Sequence, residues 1–479
     1  MKKSFISLSF ILLSCSTHEV APPIPLLPVP SKSQLAWHRM EMNAFVHFTT
    51  NTFTGKEWGY GDESPLVFNP SELNAEQWMS TFKDAGFKGV ILTCKHHDGF
   101  CLWPSQYTKH SVKGSPWKNG KGDVVKEVAD ACRKYGLSFG IYLSPWDRNH
   151  KDYGTPAYVE YYRNQLQELF AQYGPVFEMW FDGANGGDGY YGGTREKRKI
   201  DGATYYDWPK TLNMVRALEP NIIFFSDAGP GVRWVGNERG FAGETNWNTI
   251  SPDTLFAGKG GIEQLLNTGS EHGTSWIPAE VDVSIRPGWF YHQEEDSLVK
   301  SPSQLFEIYL TSVGRGSTLL LNVPPDRRGL LHEEDVKALK GFRSLLNKEF
   351  KMNLVEKADV KASSFRGKAK RFSPMCLTDG NPETYWSTDD DIISGSIEID
   401  LQGKKLIHYI MLQEYITLGQ RVKSFTLEGW RDNQWQIIFN GSTIGHKRIV
   451  RIKPIEIEKI KINFIDSKAS LAISNVEVY

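Results

Sequence analysis

From Met42 to about Phe350, short and almost wholly apolar runs alternate with amphipathic stretches. The runs 43–48, 89–93, 137–143, 176–182, 221–226 and 317–322 are too short for helices and rich in branched and aromatic residues. They predict strands buried on both faces. Between them, residues 75–85, 123–134, 157–173, 211–218, 303–313 and 333–347 repeat apolar positions at helical spacing. Repeated strand–helix units of this kind build a parallel sheet covered by helices. Residues 33–350 therefore fit an α/β fold, a (β/α)8 TIM-like barrel with long loops. An open doubly wound sheet is the weaker reading, since no Gly-rich dinucleotide turn follows the first strand. Beyond residue 350 the period changes to two, over 396–401, 425–428, 435–439, 449–453 and 460–464. Residues 351–479 predict an all-β sandwich.

The N-terminus follows neither pattern. Lys2 and Lys3 precede an apolar run from Phe5 to Leu13, too short to span a bilayer, which ends in Ser14-Cys15. This arrangement resembles the lipobox of bacterial lipoproteins, with residues 1–15 as signal segment and Cys15 as the lipidated residue. A plain secretory signal with a chance cysteine is the alternative. The expected location is an exported lipoprotein, periplasmic or at the cell surface. Residues 16–32 carry Pro22, Pro23, Pro25, Pro28 and Pro30 with no amphipathic period, which reads as an extended tether. No other segment is long and apolar enough to cross a membrane.

Composition narrows the function. The 479 residues include 55 Lys+Arg and 56 Asp+Glu, a net charge of −1 with no basic stripe, which argues against nucleic acid as partner. Cys94, Cys101, Cys132 and Cys376 show no metal-ligand spacing and read as free thiols. The 15 tryptophans stand out, because a flat amphipathic ring grips ligands that have apolar faces and polar edges.

A barrel builds its active site where strands end. His47 ends the first strand, and Lys95-His96-His97-Asp98 follows the second. Tyr142 and Ser144 lie on and after the third. Asp182 enters the Gly-rich turn Gly183–Gly187. Period-two alternation puts Glu178 and Asp182 on one face, about 13 Å apart. A retaining glycosidase needs its carboxylates about 5–5.5 Å apart and an inverting one about 6.5–9.5 Å. Glu178 is therefore a structural carboxylate, and a partner for Asp182 must come from elsewhere. Glu238 is the first candidate and Glu244 the second. Two other classes stay open. One is a metal-dependent hydrolase using His96, His97, Asp98 and Asp182, although adjacent histidines on a strand would diverge. The other is a glycan-binding protein with an inactive barrel.

Residues 42–330 resemble the α-L-fucosidases of glycoside hydrolase family 29. The matching pieces are Val46–Phe48, Glu57–Gly59, Lys95–Phe100 with Leu102–Ser105, Trp180–Asn185, Arg233–Glu238 and Pro278–Trp289. The resemblance implies a retaining mechanism with Asp182 as nucleophile and Glu238 as acid/base. It implies that His47, Glu57, Trp58, His96 and His97 hold the fucose hydroxyls, that Tyr142 supports Asp182, and that Trp289 faces the C6 methyl. Glu280 and Asp282 would reach the next sugar, or else brace a loop as a buried pair. Arg233 would contact substrate or brace Glu238. The Asp182–Asn185 and Gly236–Glu238 forms resemble the subfamily acting on α-1,3/1,4-linked fucose of Lewis-type branched glycans, with a broader specificity including α-1,2 linkages as the alternative. No cofactor or catalytic metal is implied. In the last domain, the loop Leu377–Ser387 and the run Ile397–Leu401 resemble discoidin-like (coagulation-factor type C) modules. Trp386 there would bind sugar or fill the core, and a structural calcium is compatible with such a module.

Overall fold

The computed structural model describes residues 19–356 and 358–479. Eight parallel strands close into a barrel: β1 Met42–Val46, β2 Gly89–Lys95, β3 Ser138–Leu143, β4 Glu178–Trp180, β5 Ile223–Ser226, β6 Val232–Trp234, β7 Ala279–Ser284 and β8 Thr318–Asn322. Each strand pairs with the next in order, and β8 closes on β1 through Met42↔Leu319. The strands are buried on both faces, as their apolar runs require. The covering helices begin where their sequences supply caps. Asn74 accepts from the Gln77 N–H, Asp123 accepts from the Lys126 N–H, and Ser301 forms a capping box with Gln304.

Two strands carry no clear sequence signal, β6 and β7. No helix joins β5 to β6. The chain instead doubles back through Asp227–Gly231, so that Gly231 lies beside the Phe224 backbone. A Cβ on Gly231 would stand 2.7 Å from the Phe224 nitrogen, an approach that only glycine permits.

Trp37, Phe45, Ile91, Tyr142, Trp180, Phe225 and Leu320 fill the barrel interior. The helix Lys32–His38 closes the bottom, and its Trp37 indole donates to Glu178 at 3.0 Å.

The C-terminal strands are β9 Val360–Ala362, β10 Trp386–Ser387, β11 Gly395–Glu414, β12 Val422–Arg431, β13 Gln434–Gly441, β14 Arg448–Ser467 and β15 Ala472–Val478. They pair antiparallel in the order β10-β15-β11-β14-β12-β13, with β9 on β11. Strands β11 and β14 each run 20 residues through register shifts, so one strand serves both halves of the sandwich. Trp386 is fully buried in this core and its indole donates to the Ser364 carbonyl at 2.9 Å, so its face is closed to a sugar.

The described part of the Pro-rich tether is a strap rather than a free spacer. Proline leaves carbonyls without competing N–H donors, and arginines of the sandwich bind them. Arg366 donates to the Ala21 carbonyl and Arg421 to the Ile24 carbonyl, each at 2.7 Å. Cys15 and the lipobox lie outside the described residues. Among the described residues no helix is long and apolar enough to cross a membrane. Cys94, Cys101, Cys132 and Cys376 are free and buried.

Candidate active site

The C-terminal ends of the strands converge on a pocket of about 150 Å³ lined by Phe45, His47, Glu57, Trp58, His96, His97, Tyr142, Trp180, Asp182, Ala184, Glu238, Asp282 and Trp289. That volume equals about five bulk waters, the room of one sugar ring. Trp180 forms its floor, stacked on Phe225 with ring centroids 3.8 Å apart. Trp58, half exposed, stands edge-on to His97 and Trp146 at the rim. A larger apolar cavity of about 720 Å³ opens at the opposite end of the barrel, between the Lys32–His38 helix and Phe139 and Phe177. No cluster of strand-end polar groups faces it.

Asp182 follows β4 and its carboxylate is held from both sides. The Tyr142 hydroxyl donates to Oδ2 at 2.9 Å and the Ala184 N–H to Oδ1 at 2.7 Å. Burial and the Asp182 charge push the Tyr142 hydroxyl well up, so it stays a donor. The turn after Asp182 is tight: a Cβ on Gly183 would lie 2.0 Å from Asp227 Oδ2. Asp227, just past β5, accepts from the Gly258 N–H at 2.7 Å, and burial raises it to about 6.

The histidines present acceptors. Asn322 Nδ2 donates to the Trp289 carbonyl, so Asn322 Oδ1 accepts, and His47 Nδ1–H donates to it at 2.8 Å. Ser144 donates its only hydroxyl proton to the Trp146 carbonyl, so His97 Nδ1–H donates to Ser144 Oγ at 2.7 Å. Each neutral ring therefore carries its lone pair on Nε2. Burial depresses both rings, His47 to about 3, so they stay neutral. His97 Nε2 stands 3.8 Å from Asp182 Oδ2. His96 and His97 do not diverge as a strand would require. Strand β2 ends at Lys95, and in the turn beyond it the two rings lie 4.1 Å apart. Among the described residues no group of three or more His, Cys, Asp or Glu side chains is arranged to hold a metal.

Glu238 reaches the mouth from the loop after β6, and the Trp289 indole donates to its Oε2 at 3.2 Å. Burial is the main cause that raises its carboxyl; the Trp289 bond lowers it and the Asp182 charge raises it further. Glu244 does not line the pocket. It pairs with Arg315 at 3.5 Å, and its carbonyl accepts from Arg448 of the sandwich.

Two expected substrate contacts are corrected. Arg233 is fully buried and donates to the carbonyls of Leu266, Ile277 and Trp247 and to Asn246 Oδ1, so it braces the loops between β6 and β7 and touches neither pocket nor Glu238. Glu280 is sealed beneath Trp180, whose indole donates to it at 3.1 Å, and cannot reach a second sugar. It faces Glu178, and burial pushes both carboxyls up. Glu57 lines the pocket wall, its carboxylate held by the Trp289 and Phe290 N–H groups and by His292. Asp282 does line the pocket, holding the Trp234 indole at 2.9 Å, and burial pushes its carboxyl well above the usual range. Phe45 and Ala184 were not read from sequence. Alternation along β1 places Phe45 on the same face as His47.

A parallel eight-stranded barrel whose strand ends gather carboxylates, aromatic faces and neutral imidazoles on a pocket of one-sugar size is the arrangement of a glycoside hydrolase. The α-L-fucosidase family model matches residues 26–349, and the F5/8 type C domain model matches residues 359–477. Alpha-L-fucosidase 1 of Arabidopsis thaliana is 41% identical over 99% of this chain and 92% of its own. A glycoside hydrolase 29 family member from an unknown rumen bacterium is 45% identical with a TM-score of 0.86, covering 96% of this chain and 78% of its own. The Ruminococcus gnavus GH29 fucosidase E1_10125, solved in complex with fucose, is 34% identical with a TM-score of 0.87 over 97% of both chains. The chain belongs to the α-L-fucosidases of glycoside hydrolase family 29 and carries a discoidin-like C-terminal domain.

Proposed function

We propose that this α-L-fucosidase is exo-acting and retaining, and that it releases α-1,3/1,4-linked fucose from branched, Lewis-type glycans. The observation that carries the mechanism is the presence of Asp182 and Glu238 on one pocket with room for a single sugar. Asp182 Oδ attacks C1 while the bond from C1 to the leaving oxygen breaks and Glu238 gives that oxygen its proton. Water then attacks C1, Glu238 takes the water's proton, and the bond to Asp182 breaks. The Nε2 lone pairs of His47 and His97 accept from fucose hydroxyls, and the Trp289 face meets the C6 methyl. Losing that methyl contact costs about 1–3 kcal/mol.

Proton NMR of the first-formed sugar tests the stereochemistry: α-fucose is expected, and initial β-fucose overturns retention. Asp182→Asn should abolish turnover. Glu238→Ala should be rescued by azide on activated substrates; rescue of Glu244→Ala instead would move the role. A panel of blood-group H and Lewis-type trisaccharides tests linkage, and equal rates on α-1,2 substrates would favour broad specificity. We also propose lipidation at Cys15 and a membrane-anchored, exported location. Cys15→Ser should release the protein from membranes. Chelation should leave turnover unchanged.

A further inference from the structure

Glu57 comes from the segment after β1, yet the hydrogen bonds its carboxylate accepts among the described residues come from the loop after β7. The Trp289 N–H donates to its Oε2 at 2.7 Å, and the Phe290 N–H and His292 Nε2 donate to its Oε1 at 3.2 and 2.6 Å. A carboxylate only accepts, so His292 carries its proton on Nε2. The fit is close, since a Cβ on Gly288 would lie 2.6 Å from Glu57 Oε1. Asn322 holds the same loop from below, donating to the Trp289 carbonyl at 2.8 Å. The backbone of Trp289 is therefore fixed from two sides, and its indole spans the mouth to Glu238 Oε2 at 3.2 Å. Among the described residues no other hydrogen bond reaches the Glu238 carboxyl. Without that bond, the three side-chain torsions of Glu238 have no hydrogen bond to fix them.

We propose that His292, Glu57 and Trp289 form a positioning relay that aims the Glu238 carboxyl at the departing oxygen. This rests on the reading of Glu238 as acid/base. The relay acts on the transition state more than on the bound substrate. As Glu238 loses its proton to the leaving oxygen it becomes a carboxylate, and the indole N–H then makes a charge-assisted bond to it. The ring face of Trp289 stays free for the sugar, so one side chain serves binding with its face and proton transfer with its edge.

Trp289→Phe separates the two, keeping an aromatic face and removing the N–H. The measurement is kcat/KM on a fucosylated oligosaccharide, whose leaving group needs a proton, against a dinitrophenyl fucoside, whose leaving group does not. The ratio of the two, taken on one preparation, is independent of the folded fraction. The oligosaccharide should lose roughly tenfold more than the aryl fucoside, a part of the full general-acid contribution. The basic limb of the kcat/KM profile should move to higher pH, because the bond that holds the Glu238 carboxyl down is gone. Equal losses on both substrates with an unmoved limb would overturn the relay. His292→Phe should shift the ratio in the same direction, and His292→Gln, which keeps a donor near Nε2, should restore it. Identical behaviour of these two variants would remove His292 and Glu57 from the relay. Azide treatment of Glu238→Ala tests the underlying reading separately. No rescue overturns both ideas, whereas rescue with equal losses in Trp289→Phe overturns the relay alone.

Discussion

At the residue scale, the Asp182 carboxylate is set by two donors, and each can be weighed. Tyr142→Phe removes a hydrogen bond to a charged group, worth about 1.5–3 kcal/mol. It should lower kcat/KM by about 10- to 150-fold while leaving the pocket walls in place, as steady-state kinetics will show. Gly183→Ala should be as damaging without touching a reacting atom. Its Cβ would collide with Asp227 Oδ2 at 2.0 Å and push the Asp182 turn away, and a crystal structure of the variant would show the turn displaced. The Asp182 charge raises Glu238, so neutralising it in Asp182→Asn should lower the Glu238 titration midpoint, read by carbon-detected NMR of labelled glutamate. A midpoint that rises or stays put would contradict their coupling. In the proposed mechanism Glu238 must be protonated for the first step, so its raised carboxyl should extend activity upward in pH.

At the scale of elements, the barrel strands deliver side chains to two levels. The upper level ends in the pocket. The lower level holds Glu178 on β4 and Glu280 on β7, each bonded to an indole and sealed from solvent. Burial raises both carboxyls, so the folded state binds their protons more tightly than the unfolded chain does. Their contribution is full below the ordinary glutamate range and is lost as pH rises through the raised folded-state values. Glu280→Gln keeps the acceptor for Trp180 and removes the Glu280 share of that loss. Its Tm relative to the parent should improve with rising pH, by about 1 °C for each kcal/mol recovered in a chain of this size. Thermal unfolding from mildly acidic to mildly basic pH measures this, and a constant difference would show that the pair carries no excess proton.

For the whole molecule, the sandwich completes the barrel. Tyr409, Met411 and Ile449 from the sandwich belong to the same apolar cluster as the barrel's helices. Asn246 and Asn248 bond Thr443 and Gln420 across the junction, and Arg451 pairs with Glu307. The strap 19–30 is pinned to the sandwich before it leads into the helix that closes the barrel floor. Two domains joined this way should unfold as one unit. Calorimetry should show a single transition, and a chain ending at Phe350 should aggregate because it leaves part of the barrel's core uncovered. Two resolved transitions would contradict this.

Local patterns were enough for the strands and helices with strong periodicity, for the change from barrel to sandwich, and for Asp182, whose strand announces itself by an apolar run. They were not enough for β6, because its entry by a tight return beside Phe224 leaves no helical signal. Nor did they separate Arg233, Glu280 and Asp282. All three sit on β6 or β7 in apolar company, and only the closure of the barrel decides which faces the pocket and which the floor. The paired histidines make the same point, since alternation along a strand separates them and the end of β2 one residue earlier brings them together. Sequence by itself determined the class of each segment and the residue types needed for glycoside chemistry, because periodicity and side-chain chemistry are local properties. Tertiary structure alone decided which carboxylates are sealed, which histidine nitrogen is left unbonded at the pocket, and that Glu57 grips a loop far along the chain. Burial and hydrogen-bond partnership depend on residues hundreds of positions apart.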